Sequence, residues 1–197
     1  MTNSRLPAAE RRRQLLDSAV SVFAAAGFHR ASMNDVAAAA GVTKPVLYQH
    51  FASKHDLYRE LLRDVGDQLR EQVAKAALDG SLPRRQVEQG FAAYFDWVGT
   101  HTEGFAVLFA GETRRDPVFA AEAERVERDI ADTIAALIDV EGLSVDQRRL
   151  LAFGIVGMAE TTARHWLAGE TNTQSADLAQ QVSALAWAGL RGLRPAT

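Results

Sequence analysis

Thr43, Lys44, Pro45, Val46, Tyr48, Gln49 and His50 stand within one eight-residue stretch, and with Lys54 close behind they bring ammonium, phenol, carboxamide and imidazole groups into a single short segment. Those groups match the edges and backbone of duplex DNA. Lys44 can reach guanine O6/N7 or a phosphate, the Gln49 carboxamide can pair with adenine, and Pro45 and Val46, facing out, offer apolar contact to thymine methyls. Tyr48, His50 and Lys54 supply the kind of donor that holds phosphates, and a helix starting at Ser32 adds backbone amides and a favourable dipole. Packing against the first helix stays open as an alternative for Tyr48 and His50, as does simple solvation for Lys44.

Such groups read a groove only from a projecting rod. Ser32 and Asp35 have the spacing of a reciprocal N-terminal cap, which starts a short helix that ends before Gly41. Thr43 then caps a second short helix, which admits Pro45 in its first turn because no intrahelical amide bond is lost there. Val36, Ala37, Ala40, Val42 and Leu47 fall on the seam of this helix-turn-helix, and the small Ala37 lets the two axes approach. The outer side of the second rod then fits the major groove. One short helix touches few base pairs, so specificity calls for a homodimer reading a palindromic operator, with half-sites ~34 Å apart.

Helical patterning continues along the chain. The first helix is expected from about Ala9 to Ala26, stopping at Gly27, and Ser53 with Asp56 caps a long fourth one carrying Leu57, Leu61, Val65, Leu69 and Val73 on one stripe. Further helices are expected over 84–99, 103–110 and 117–139, the last behind an Asp116 cap. Ser144 with Gln147 opens another to about Leu167, and Ser175 caps the last, to about Leu193. Nine helices, 35 alanines and no alternating β-branched run give an all-α fold. Residues 1–63 carry nine Arg/Lys against five Asp/Glu, whereas 64–197 carry thirteen against twenty. This change of sign places a DNA-binding domain at 1–55 and a ligand-binding and dimerisation domain at 56–197, linked by the fourth helix.

Composition excludes much else. The 197 residues carry a net charge of −3 and no cysteine, which removes disulfide frameworks, thiolate metal sites and cysteine nucleophiles and suits a reducing, cytoplasmic setting. The longest apolar run, 150–159, is about half the ~18 residues a membrane span requires. Arg11, Arg12 and Arg13 precede an apolar stretch as in an export signal. Leu15/Leu16, Ala19/Val20, Phe23 and Ala26 nevertheless recur as one face of a helix, so no cleaved signal is expected. There is no phosphate-cradling glycine loop, no His-Glu-x-x-His and no Gly-x-Ser-x-Gly, and the His, Asp and Glu residues are scattered. Neither catalysis nor a cofactor nor a metal is expected.

The second half holds two candidate surfaces. Phe91, Tyr94, Phe95, Trp97, Val98, His101, Phe105, Leu108 and Phe109, faced by Phe119, Val126, Ile130, Met158, Thr162 and His165, have the apolar balance of a small-molecule site, with His101 and His165 as polar contacts; plain core packing is the alternative for each aromatic, and a satisfied core histidine for His101 and His165. The last two helices are the expected dimer interface. They carry Phe153, Ile155, Trp166, Leu178, Val182, Leu185 and Trp187 among the small residues Gly154, Gly157, Ala159 and Gly189, and the alternative is that this set completes a monomeric core.

Gly41-Val42-Thr43-Lys44-Pro45-Val46-Leu47-Tyr48-Gln49-His50-Phe51, followed by Ser53-Lys54-His55-Asp56-Leu57, resembles the DNA-binding signature of TetR/AcrR-type transcriptional regulators. The resemblance implies phosphate contacts from Tyr48, His50 and Lys54, base contacts from Lys44, Pro45, Val46 and Gln49, and a four-helix bundle made by the last helix pair of two chains. A ligand-responsive regulator follows, most often a repressor released by a small hydrophobic effector, with the fourth helix as the lever. Arg5-Leu6-Pro7 to Arg11-Arg12, the Lys44–His50 run, Gly154–Met158 with Ala163–Leu167, and Ala186–Leu190 are similar to actinobacterial regulators of fatty-acid synthase genes. That narrower likeness implies an acyl-CoA effector and activation or repression of lipid-metabolism genes.

Overall fold

A computed structural model describes residues 7–169 and 172–193. Arg5 and Leu6, part of the narrower likeness, lie outside the described residues. The helices are α1 (Ala8–Arg30), α2 (Met33–Ala39), α3 (Lys44–His50), α4 (Lys54–Leu78), α5 (Pro83–Thr100), α6 (Thr102–Leu108), α7 (Gly111–Arg115), α8 (Pro117–Leu137), α9 (Val145–Leu167) and α10 (Ser175–Gly192). The nine expected helices are all among them. The additional one, α7, has five residues, too few to show an apolar period. No strand occurs among the described residues, and no helix there is long and apolar enough to cross a membrane.

Most ends follow the local chemistry. Ser32 and Asp35 form a complete capping box on α2, as do Ser144 and Gln147 on α9. The Asp56 amide donates to Ser53 Oγ at 3.0 Å, and Asp116 accepts from the Val118 amide at 2.9 Å. Three ends differ. Thr43 occupies the N-cap of α3, but its hydroxyl makes no capping bond. Ser175 is the first helical residue of α10 and Gln174 the cap position. Gly27, at φ 74°, interrupts α1 as expected, yet helical turns resume as far as Arg30.

The chain forms two compact units. One comprises residues up to Gly66 together with Glu103–Ala123, and the other comprises Asp67–Thr102 together with residues from Glu124 onward. In the first, Leu15, Leu16, Ala19 and Phe23 of α1 are buried with Leu57, Tyr58, Leu61 and Leu62 of α4 and the α2–α3 seam. Full burial of each large aliphatic side chain contributes about 1.5–3 kcal/mol. Polar ties finish the scaffold: Arg12 meets Glu60 at 2.7 Å, and Arg13 meets Asp64 at 3.1 Å. In the second unit α10 lies on α5, while Ala131, Ile138 and Ala152 centre a cluster that includes Ile134, Leu151, Ile155 and Val156.

Candidate functional site

α3 is set outward by a seam made largely of small and branched side chains. Val36 and Leu47 are fully buried, and Ala37 and Ala40 nearly so. Gly41 takes φ 65°, a left-handed turn that costs glycine least, and the Val42 amide then donates to Ala37 O at 2.9 Å. Gln14 of α1 donates to Ala40 O at 3.1 Å, which satisfies a carbonyl that the short α2 leaves over. With Leu47 pinned inward, Thr43, Lys44, Pro45, Tyr48 and Gln49 are exposed, and Val46 and His50 are half-buried. Tyr48 retains 44% of its surface, and the Lys44 ammonium lies 5.8 Å from its ring centroid, one helical turn away. The open alternative that Tyr48 packs on α1 therefore drops out.

Two expected phosphate contacts are otherwise engaged. Lys54 Nζ donates to Phe28 O at 2.7 Å, Ala31 O at 2.9 Å and His29 O at 3.3 Å, and sits 4.5 Å from the Phe28 ring centroid. An ammonium has three protons, and here all three serve the carbonyl end of α1, whose dipole favours a cation. Lys54 is thus a brace of the scaffold. Ser32 uses its hydroxyl and its amide in the reciprocal cap with Asp35, so it positions α2 and has no donor left for a phosphate. Its hydroxyl and amide also hold the Asp35 carboxyl below its ordinary range. The Ser32 cap was legible from its spacing to Asp35, but the Lys54 engagement was not, because only the closed fold brings Lys54 to carbonyls twenty-odd residues away.

The effector set divides between the units. Phe105, Leu108, Phe109 and Phe119 are buried in the first, where Phe119 joins a ring cluster with Phe28, Tyr58 and His55 at centroid distances of 4.9, 4.6 and 4.3 Å. Glu112 accepts the Phe28 amide at 2.7 Å, the Tyr58 and Thr113 hydroxyls bond at 2.9 Å, and Arg63 meets Glu122 at 2.6 Å. Sequence reading missed this binding of 103–123 to the helix-turn-helix unit, since no local pattern announces a partner so distant in the chain. Tyr94, Trp97, Val98 and Val126 are buried in the second unit, with Met158 and Thr162 half-buried. His101 and His165 are exposed rather than turned inward; the His101 ring stacks on Trp97 at 5.0 Å. A groove of about 620 Å³, lined by Gln72, Lys75, Asp79, Gln89, Asp96 and Ser175 among others, contains none of the expected residues.

The interface set also divides. Leu178 and Val182 are buried within the protomer, Ile155 belongs to the second unit's core cluster, and Trp166 donates to Thr173 O at 2.8 Å while its ring meets Phe95. These four complete the core, as the alternative reading allowed, and Trp187 is half-buried. Phe153 at 36% and Leu185 at 66% remain outside, joined by Leu150 at 74%, which sequence reading passed over. Its i, i+3 spacing to Phe153 was the available signal.

A family model for bacterial regulatory proteins of the tetR family matches residues 15–61, and one for the tetracyclin repressor-like C-terminal domain matches 83–189. The HTH-type transcriptional activator FasR of Mycolicibacterium smegmatis is 34% identical over 95% of this chain and 86% of its own length. The HTH-type transcriptional repressor KstR2 of Mycobacterium tuberculosis is 31% identical over 53% of this chain and 52% of its own. Among solved structures, a TetR-like regulator from Rhodococcus sp. RHA1 superposes with a TM-score of 0.79 at 32% identity, covering 96% of this chain and all of that one. FadR of Bacillus subtilis in complex with stearoyl-CoA has the same fold, with a TM-score of 0.76 at 18% identity over 92% of this chain and 99% of its own. With both family models matched and a helix-turn-helix whose recognition rod faces solvent, the chain belongs to the TetR family and is a DNA-binding transcriptional regulator.

Proposed function

We propose that the regulator binds a two-fold symmetric operator as a homodimer through α3 and that an apolar effector held in the second unit lowers its operator affinity. The observation that carries the operator reading is the outward row Lys44, Pro45, Tyr48 and Gln49 above a buried Leu47. Gln49 reads an adenine, Lys44 a guanine or phosphate, and Pro45 with Val46 a thymine methyl. Tyr48 and His50 hold the backbone.

Dimerisation is supported by the outer face of α9 and α10. Leu150, Phe153 and Leu185 are exposed there, and a Cβ built on Gly154, Gly157 or Gly189 would meet nothing within 4 Å. The protomer's own packing gives no reason for those glycines, whereas close approach of a second copy does. α4 contributes residues to both units, so effector occupancy can bias the spacing of the two α3 rods by shifting the population of dimer states. Such a regulator works beside the chromosome, in the cytoplasm. Activation is the second reading, favoured by the 34% identity to an activator, and an acyl-CoA is the effector that the fatty-acid-regulator likeness suggests for it.

Selection of bound fragments from a random DNA pool tests the proposal. Expected is a palindrome whose half-site centres lie about 10 base pairs, or a multiple, apart. A single unpaired motif would contradict it.

A further inference from the structure

We propose that the Tyr94 hydroxyl is the polar anchor of the effector site, and that the site takes an apolar molecule ending in a neutral hydrogen-bonding group, such as an alcohol, ketone or thioester carbonyl, in preference to a carboxylate or phosphate. The inference rests on the effector reading above and specifies its ligand.

Tyr94 of α5 is 7% exposed, and its hydroxyl has no hydrogen-bond partner. Buried hydroxyls are seldom left so, because burial strips their water and only a new partner replaces it. The position is fixed by packing: the Phe95 ring stands perpendicular to the Tyr94 ring at 5.3 Å, and Phe91 is buried one turn earlier. Replacing the ring by phenylalanine would satisfy the packing equally well, so the oxygen requires its own explanation.

The charges around it select the head group. Glu160 of α9, buried, and Glu127 of α8 both act on the phenol, as does Arg164, which is paired with Glu160 at 3.1 Å. Burial foremost, then Glu160, pushes the phenol above its ordinary value, so the proton stays in place and is available to an acceptor. Of the charged groups that act on the phenol, two are carboxylates and the one guanidinium is already held by Glu160, so an anionic head would meet net negative charge in a medium of low dielectric.

Titration calorimetry of the full chain with 1-decanol and decanoate decides the matter, alongside thermal melts of Tyr94→Phe. Decanol should bind at least tenfold more tightly than decanoate. Tyr94→Phe should weaken decanol binding about fivefold, the equivalent of one hydrogen bond, while leaving the melting temperature of the free protein unchanged or higher. Preference for decanoate, or decanol binding indifferent to Tyr94→Phe, would overturn the anchor while leaving an apolar effector site in place. Binding of neither would remove the effector reading, and the anchor with it.

Discussion

Around α3 the exposed row is largely polar above a buried seam, whereas α9 and α10 expose Leu150, Phe153 and Leu185 together with glycines that carry no side chain. Each pattern states what it is suited to meet. A hydrated, regularly charged duplex is read by donors and acceptors held at fixed spacing, and a second copy of the same face is met by large aliphatic groups and by glycines that allow close approach. A finer contrast lies within the helix-turn-helix unit. Lys44 and Lys54 are ten positions apart, both suit a phosphate on paper, and only Lys44 is directed to solvent; Lys54 closes the end of α1. Charge type alone does not assign a role, and the number of uncommitted protons does.

The largest expected effect breaks the apolar side of the comparison. Leu185→Glu places like charges across the two-fold axis, so sedimentation should show monomers and two-half-site DNA affinity should fall by more than about a hundredfold, a hot-spot loss of roughly 3 kcal/mol or more. Because Leu185 is exposed in the protomer, the monomer should keep its helix content by circular dichroism. Unchanged dimers would send the interface elsewhere.

The next effect separates the two lysines. Lys54→Met keeps the stem over Phe28 but removes the charged bonds to three carbonyls, and should lower unfolding stability by about 2 kcal/mol without altering the salt slope of DNA binding. Lys44→Ala should leave the denaturation midpoint in place and flatten the slope by roughly one unit. The smallest effect is Ser32→Ala, which opens the α2 cap and should cost about 1 kcal/mol in urea melts. It also frees Asp35. The carboxyl is held low in the folded state, so its contribution is present at neutral pH and fades as pH falls through that lowered value. The wild-type and Ser32→Ala melts should therefore converge in acid.

What was legible in the sequence was local. Ser32/Asp35, Ser144/Gln147, Gly27, Gly41 and the Leu57–Val73 stripe each act within a turn or two of themselves, and the helices and the outward α3 face followed from them. What was hidden depended on distant pairing. Helical spacing shows that Leu178 and Val182 share a stripe with other apolar residues, but not that the stripe faces α5 rather than a partner. Phe119 reads as an effector contact until His55 and Tyr58 are seen against it, and α7 has too few residues to carry a period.

Selection from a random DNA pool with wild type and Gln49→Ala in parallel tests the role of α3 most directly. The two consensus sequences should differ at one base pair in each half-site, symmetrically, with discrimination there relaxed by about 1–3 kcal/mol and the flanking positions retained. Identical consensus sequences would mean that the α3 face does not read the operator.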